Sequence, residues 1–183
     1  MKLNKVMIWR GIQGAGKTTF IERAVRRVHP SFKDDCARGV VDVFSADQFW
    51  GESYQYDPKR INEAHADCFY RCTTRLQEHK TSIQRGNIDD HLVVIDNMSI
   101  LQREISPYIL AAQAYGFEYE VVTIWADWDV AAGRQIHGVP EHIVFTKWQQ
   151  LRDEELPTFW KQRLIWSLSD FTYFVAPGQS RGP

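Results

Sequence analysis

Cysteine is scarce in this chain, and its spacing fits neither a disulfide framework nor a metal site. The sequence holds three cysteines, Cys36, Cys68 and Cys72, and the last two are one helical turn apart. Disulfide scaffolds carry a higher density of cysteine, and metal or redox pairs recur at other spacings. The pattern therefore argues against a disulfide-stapled fold and predicts reduced thiols in an ordinary core.

The chain also lacks an excess of one charge. Lys and Arg number 22 against 23 Asp and Glu, which gives a net charge of −1. A protein that binds nucleic acid through its overall charge is strongly basic. The composition excludes that mode of binding, although it leaves room for a local basic groove. A hydrophobic fraction of 44 % and a charged fraction of 25 % are typical of a folded protein.

Long apolar runs, internal repeats and low-complexity blocks are missing as well. No segment approaches the ~20 residues of a membrane-spanning helix, and the apolar run near the start is too short for a secretory signal. We therefore expect a cytoplasmic protein without a membrane partner. The length of 183 residues predicts one domain over residues 1–176, followed by a flexible tail at residues 177–183 that is rich in Pro and Gly.

What the chain does have is a glycine-rich loop at residues 11–19, GIQGAGKTT, directly after an apolar run at residues 6–9. The loop matches the phosphate-binding pattern GxxxxGK[ST] at every fixed position. Glycines let successive backbone N–H groups turn inward, and the helix that follows adds its positive end. The loop therefore predicts a site for the phosphates of ATP.

Each residue of the loop has a predicted part in binding. The candidate ATP-binding residues are Gly11, Gln13, Gly14, Ala15, Gly16, Lys17, Thr18 and Thr19. Lys17 can reach the terminal phosphates as a point charge, and the Thr18 hydroxyl is placed to ligate the Mg²⁺ that bridges them.

Strand-like apolar runs alternate with helical patterns along the chain. After the run at residues 6–9 they lie at residues 40–44, 92–96, 118–125 and 171–175. This alternation predicts a three-layer α/β/α kinase-like domain with a mostly parallel sheet. A short helix capped by Asp127 and a chain break at residues 137–140 predict a small helical lid over about residues 127–140.

Two helix starts have sequence signals of their own. Asp57 followed by Pro58 predicts the start of a helix that runs to about Lys80. Ser99 with Gln102 predicts a capping box at the start of the next helix.

Two aspartates follow predicted strands, where open α/β sheets bind their ligands. Asp96 closes the run at residues 92–96, and with Thr18 it is the candidate metal ligand. Asp47 follows the run at residues 40–44 and is placed to accept the proton of an attacking hydroxyl. For each aspartate, a turn or helix-cap role is the structural alternative.

A cation from the lid would complete a phosphoryl-transfer site, because it neutralises developing charge and its closure helps exclude water. Arg134 lies within the predicted lid, whereas Arg103 and Arg152 are weaker candidates for this role. A solvated surface arginine is the alternative. The candidate catalytic residues are therefore Asp47, Lys17 and Arg134.

Aromatic side chains cluster after Asp47. Phe49, Trp50, Tyr54 and Tyr56 could stack on a base of the acceptor, and core packing explains them equally well. Both interpretations stay open at the level of sequence.

Several short motifs together carry a family resemblance. They are residues 11–19, Ser45-Ala46-Asp47, Glu63-Ala64-His65 with Cys68 and Arg71, Val94-Ile95-Asp96-Asn97, Pro107-Tyr108, and Arg134 with residues 137–140. On these residues the chain resembles the P-loop polynucleotide kinases and the kinase-like domains of the NEDD-binding-protein-like group. The resemblance covers roughly residues 5–150.

The resemblance implies roles for two residues. In phage-type polynucleotide kinases the aspartate at the position of Asp47 activates the 5′-hydroxyl of a nucleic acid, and a lid arginine, here Arg134, contacts ATP phosphates. Two positions depart from the family: Trp50 stands where an arginine is expected, and Gln48 stands where a second aspartate is expected. These departures bear on which acceptor is phosphorylated more than on whether a phosphoryl group is transferred.

The leading hypothesis is a kinase that uses Mg²⁺ and ATP to phosphorylate a hydroxyl of a polynucleotide, most simply the 5′-OH of DNA or RNA. One alternative is a DNA kinase that acts on a hydroxymethylated base of the 5-hydroxymethyluracil type, with Trp50 packed on the extruded base. Another is a nucleoside or nucleotide kinase. A nucleotide-binding module without catalysis is a different class, and the joint presence of Lys17, Asp47, Asp96 and Arg134 argues against it.

Overall fold

Five parallel strands form the sheet at the centre of the molecule. The computed structural model describes residues 4–28, 39–51, 55–86, 90–134 and 138–166. The strands are β1 (Asn4–Arg10), β2 (Gly39–Phe44), β3 (Asp90–Asp96), β4 (Glu118–Ile124) and β5 (Gln162–Ile165). Their order is β2-β3-β1-β4-β5, and every neighbouring pair is parallel. The strand that leads into the glycine-rich loop therefore lies in the middle of the sheet.

Helices cover both faces of this sheet. They are α1 (Lys17–Val28), α2 (Ile61–Gln84), α3 (Gln102–Tyr115), α4 (Trp128–Arg134) and α5 (Glu141–Asp153). Successive side chains of a strand point to opposite faces. Accordingly Val6 and Ile8 of β1 pack with residues of α2 and α3, whereas Met7 and Trp9 pack with residues of α1, α4 and α5. The predicted three-layer α/β/α architecture with a parallel sheet is confirmed.

Helix α2 shows how residue spacing sets the packing. Its buried face repeats every four residues through Ala64, Cys68, Cys72 and Leu76, which are all fully buried. A 3₁₀ turn at Pro58–Arg60 precedes the helix, and the Asp57 carboxylate accepts the Lys59 N–H at 2.9 Å as the predicted cap. The two cysteines are free thiols, as predicted, and burial raises the pKa of Cys72 to about 12. Cys36 lies outside the described residues.

The start of α3 differs from the prediction. The helix begins at Gln102 after Leu101, and the cap is formed by the Glu104 carboxylate, which accepts the N–H groups of Ile100 and Leu101 at 2.8 and 3.1 Å. The expected capping box between Ser99 and Gln102 is therefore wrong. The N–H of Gln102, which Ser99 would cap, donates instead to the Glu154 carboxylate at 2.8 Å, and the Gln102 side chain donates to the Glu155 carbonyl at 2.8 Å.

Other predictions fall partly or wholly outside the described residues. Helix α4 forms the first part of the predicted lid, while residues 135–137 are outside. The apolar run at residues 171–175 and the tail at residues 177–183 are also outside, and the strand β5 was not predicted. Within the ranges that are described, no helix has the length and apolar character needed to cross a bilayer.

A buried carboxylate links three strands of the sheet. Glu120 of β4 is 8 % exposed and accepts hydrogen bonds from Lys5 of β1 and from Arg163 of β5, the latter at 2.8 Å. Burial opposes the charge of Glu120, but the bonds and charges of Lys5 and Arg163 outweigh it and lower the pKa of the carboxyl. A carboxyl whose pKa is lower in the folded than in the unfolded state stabilises the fold at pH values above its unfolded pKa. This stabilisation is lost as the pH falls through the folded pKa.

We expect Glu120→Gln to lower the free energy of unfolding by about 1–3 kcal/mol at pH 7, because two cations lose their charged acceptor. The difference from the unchanged protein should shrink as the pH falls below about 4.3, the ordinary pKa of a glutamate, and through the lower folded value. Urea unfolding at several pH values measures both effects. Glu118→Gln on the same strand is the matched control, since Glu118 and Lys161 form an exposed pair at 3.2 Å. Equal losses in the two variants would contradict the role of Glu120.

Candidate active site

The glycine-rich loop turns tightly between β1 and α1. The Gly11 N–H donates to the Met98 carbonyl at 2.9 Å, which ties the start of the loop to the segment after β3. Gly14 and Gly16 have φ angles of 75° and 90°, a region that side chains with a Cβ rarely adopt. Helix α1 then begins at Lys17, so its free N–H groups and its positive end face the loop. This geometry suits a bound anion such as a polyphosphate.

Lys17 lies across the mouth of the loop. Its ammonium donates to the carbonyls of Gly11 and Ile12, both at 3.0 Å. Desolvation lowers the pKa of Lys17, and the charges of Asp96 and Asp47 act in the opposite direction. The lysine therefore lies close enough to both aspartates to feel their charge, although the three residues are far apart in the sequence.

Thr18 and Asp96 lie side by side near the lysine. The Thr18 hydroxyl donates to the Asp96 carboxylate at 2.9 Å. Burial raises the pKa of Asp96, while Lys17 and Thr18 oppose that effect and the charge of Asp47 adds to it. A hydroxyl and a carboxylate are ligands that suit Mg²⁺, which usually keeps waters and phosphate oxygens in its other positions. The donor set at this place therefore fits the metal that the loop implies.

Asp47 lies on a 3₁₀ turn, Ala46–Trp50, that follows β2. The Ser45 hydroxyl accepts the Asp47 N–H at 3.1 Å, and the Gln48 side chain accepts the Ser45 N–H at 3.2 Å. This reciprocal capping fixes the turn and leaves the Asp47 side chain exposed at the edge of the sheet. The pattern Ser-x-x-Gln in the sequence is a signal that could have predicted it.

Arg71 of α2 holds the same turn from the side. Its guanidinium donates to the Gln48 side chain at 2.5 Å, to the Ser45 carbonyl at 3.0 Å and to Asp67 at 2.7 Å. The exposed side chain of Gln48 thus bonds both within the turn and to Arg71.

The arginine candidates lie in different surroundings. Arg134 is exposed at the last residue of α4, and within the described part of the chain no contact joins it to Lys17, Asp47 or Asp96. Arg103 is exposed in the first turn of α3, and Arg152 pairs with Asp153 at 2.7 Å. The role of Arg134 is therefore a prediction that depends on a movement of the lid.

The aromatic candidates divide by burial. Trp50 is 8 % exposed and packs in the core between the sheet, α2 and α3. Its ring lies edge-on to Phe49 at 5.0 Å and to Tyr56 at 5.4 Å between centroids, and Phe49 in turn lies under the guanidinium of Arg60. Burial favours the packing interpretation for Trp50. Tyr54 lies outside the described residues.

Arg10 has a role that the sequence analysis missed. It is the last residue of β1 and is 6 % exposed, and it donates to the carbonyls of Ile100, Leu151 and Glu154 at 3.1, 3.1 and 2.8 Å. Burial lowers its pKa to about 10, with the charges of Glu154 and Glu104 opposing this effect. Arg10 therefore remains charged at neutral pH and ties the end of α5 to the strand that leads into the loop. An arginine at the end of an otherwise apolar strand is the only signal for this in the sequence.

The parallel sheet and its phosphate loop define the chain as a P-loop kinase-like domain. A family model described as an AAA domain matches residues 6–141, so the chain belongs to that family. A search of curated protein sequences found no match.

Solved structures share this fold at low sequence identity. A gluconokinase from Sinorhizobium meliloti 1021 is 12 % identical over 95 % of this chain and 90 % of its own, with a TM-score of 0.58. Kti12 of Chaetomium thermophilum in complex with ADP-AlF3 is 14 % identical over 87 % of this chain and 88 % of its own, with a TM-score of 0.57. The APS kinase CysC of Mycobacterium tuberculosis in complex with AMPPNP and APS is 13 % identical over 90 % of each chain, with a TM-score of 0.52. At these identities the likeness is one of fold.

We expect Gly11→Ala to destabilise the protein by about 1–3 kcal/mol, because a Cβ at this position would lie 2.8 Å from the Ile124 carbonyl oxygen of β4. Urea unfolding measures the loss, and titration with ATP should show weaker binding because the loop must shift. Gly133→Ala in α4 is the control: no described atom lies within 4 Å of its added Cβ, and alanine favours a helix by about 0.5–1 kcal/mol. An unchanged stability of Gly11→Ala would contradict the close approach of loop and strand.

Proposed function

We propose that this chain is a phosphotransferase that uses Mg²⁺ and ATP to phosphorylate a hydroxyl group. The observation that carries the proposal is the convergence of Lys17, the Thr18–Asp96 pair and Asp47 at one edge of the sheet. A site that only binds a nucleotide has no need of an exposed carboxylate, that of Asp47, beside Lys17 and the Thr18–Asp96 pair.

The residues present divide the work of such a reaction. Bound ATP supplies the phosphoryl group, and Mg²⁺ neutralises charge on its phosphates. The N–H groups of residues 11–19 and the Lys17 ammonium would bind the phosphates, while Thr18 and Asp96 would hold the metal. The Asp47 carboxylate orients the acceptor hydroxyl and takes its proton. Arg134 approaches the phosphates when the lid at residues 127–140 closes, which neutralises charge and helps exclude water.

A polynucleotide hydroxyl, most simply the 5′-OH of DNA or RNA, is the acceptor that the sequence resemblance supports. A hydroxymethylated base in DNA belongs to the same class of acceptor. The geometry around Asp47 gives a polynucleotide acceptor less support than it gives phosphoryl transfer to a hydroxyl. Trp50, where the resemblance implies an arginine, is buried in the core, and Gln48, where it implies an aspartate, is used inside the turn.

A small-molecule hydroxyl, such as that of a nucleoside or nucleotide, is the second candidate acceptor. Helix α2 packs against the turn that carries Asp47. Three arginines within this helix or directly before it are paired with carboxylates. Arg60 pairs with Glu63, Arg71 with Asp67 and Arg75 with Asp42, at 2.8, 2.7 and 3.0 Å. A nucleic-acid groove presents arginine and lysine to phosphates, so this local neutralisation favours an acceptor without a long polyanionic backbone.

Transfer of labelled γ-phosphate separates these acceptors. The protein is incubated with Mg²⁺ and labelled ATP in the presence of 5′-OH DNA or RNA oligonucleotides, hydroxymethylated DNA, or free nucleosides and nucleotides. Label in oligonucleotides that falls steeply with salt supports the polynucleotide acceptor, because phosphate contacts release counterions. Label in free nucleosides or nucleotides supports the second candidate. If ATP binds but no acceptor in the panel or in a broader set of alcohols is labelled, the proposed phosphotransferase function is wrong.

We expect Asp47→Asn to lower kcat by about 10²- to 10⁴-fold, because the acceptor hydroxyl loses its base, while the affinity for ATP stays unchanged. Initial rates and equilibrium binding of ATP measure the two effects separately. Asp57→Asn is a matched control, since Asp57 caps the turn before α2 and asparagine caps helices equally well. Full activity of Asp47→Asn would remove this residue as the base.

Lys17→Ala should affect the binding of ATP, the phosphoryl donor, instead of the acceptor. We expect a loss of ATP affinity of about 10- to 100-fold, because the phosphates lose a charged hydrogen bond. Calorimetric titration with ATP and Mg²⁺ measures it. Binding at the original affinity would show that the ammonium does not contact the phosphates.

A further inference from the structure

Asn97 connects the strand that carries Asp96 to the turn that carries Asp47. It is the residue after Asp96, it is 8 % exposed, and its side-chain oxygen accepts the Ala46 N–H at 2.8 Å. Ala46 is in turn the residue before Asp47. A single hydrogen bond between Asn97 and Ala46 therefore joins the neighbours of both aspartates.

The amide of Asn97 can lie in only one of its two orientations. Its oxygen must face the Ala46 N–H, which is a donor, and its nitrogen then faces the Cys68 sulfur at 3.6 Å. The same sulfur accepts the Tyr108 hydroxyl at 3.4 Å. All of these groups are buried, so water is not available as a replacement partner. The surroundings in α2 and α3 thus hold the acceptor oxygen of Asn97 in place.

The turn behaves as one unit, so a bond at Ala46 also fixes Asp47. Ser45 and Gln48 cap each other within the turn, and Arg71 holds both of them from α2. These contacts determine the shape of the turn and its position relative to α2. The hydrogen bond of Asn97 joins the turn to the segment directly after β3, in addition to the pairing of β2 with β3.

We propose that Asn97 is a positioning residue that sets the place of the Asp47 carboxylate relative to Asp96, and thus holds the acceptor side of the site in register with the metal side. This proposal rests on the proposed function for its kinetic consequence. The anchoring of the turn by Asn97 is a property of the structure and is testable without any activity.

The first test measures the anchor itself. In Asn97→Leu, a variant of similar shape without the acceptor, the Ala46 amide loses its buried partner, so its hydrogen exchange measured by NMR should accelerate at least about tenfold. Asn97→Asp keeps an acceptor oxygen for Ala46, and the hydrogens of the Cys68 thiol and the Tyr108 hydroxyl can rotate toward its second oxygen. This variant should retain the protection. Unchanged exchange at Ala46 in Asn97→Leu would overturn the proposal.

The second test measures the kinetic consequence with the acceptor that the labelling experiment identifies. A displaced base slows the chemical step, so Asn97→Leu should lower kcat about 10- to 100-fold while the affinity for ATP is unchanged. Asn97→Asp should recover most of the rate. Ile105→Val, a buried change in the same core, is the control for lost stability alone and should keep kcat.

The outcomes separate this proposal from the proposed function. If the unchanged protein phosphorylates no acceptor, the proposed function is wrong, and the exchange of Ala46 still decides whether Asn97 anchors the turn. If the protein is active and Asn97→Leu keeps the original kcat, the positioning role is wrong while the function stands. Should Asn97→Leu fail to fold, Asn97→Ala removes the same acceptor without placing an apolar group against the Ala46 N–H and gives the same comparison.

Discussion

The candidate site depends on one constraint, the parallel alignment of β1, β2 and β3. Trp9 lies opposite Asp96, and Phe44 lies opposite Ile95, so the three strands end within a residue or two of one another. Whatever follows each strand is therefore delivered to the same edge of the sheet. This register brings Lys17, Asp47 and Asp96, which the chain separates by dozens of residues, to one edge of the sheet, and the hydrogen bond between Asn97 and Ala46 joins the turn of Asp47 to the end of β3.

One ammonium and two carboxylates meet at this edge of the sheet. Lys17 is partly buried and is held by backbone carbonyls, and Asp96 is partly buried beside it. Burial of a charge is costly unless an opposite charge or hydrogen bonds compensate it. With a polyphosphate and Mg²⁺, both residues would gain partners of opposite sign. A bound nucleotide and its metal would therefore offset the cost of partly burying the charges of Lys17 and Asp96.

Local patterns predicted the elements around the site well. The phosphate loop, the strand ends at Asp47 and Asp96 and the cap at Asp57 all follow from residue type and spacing over a few positions, and the structure contains each of them.

The features that were missed arise from tertiary contacts. β5 is a short edge strand of mixed polarity, and Arg10 is buried only because the end of α5 supplies carbonyls for it. The start of α3 was misplaced because the N–H and the side chain of Gln102 bond to Glu154 and Glu155, which are distant in the sequence, and not to Ser99. The resemblance to polynucleotide kinases agrees with the P-loop kinase-like fold, whereas the acceptor that it implies has less support, since Trp50 is buried in the core and Gln48 bonds within the turn and to Arg71.

The hydrogen bonds of Arg10 also have a mechanical consequence. They fasten the C-terminal end of α5 to the central strand, directly before the phosphate loop. The last residue of that strand and the last turn of α5 therefore move together, because the guanidinium is buried and donates to the carbonyls of both Leu151 and Glu154. A change that loosens the end of α5 is thus transmitted to the start of the phosphate loop, although the two segments are far apart in the sequence.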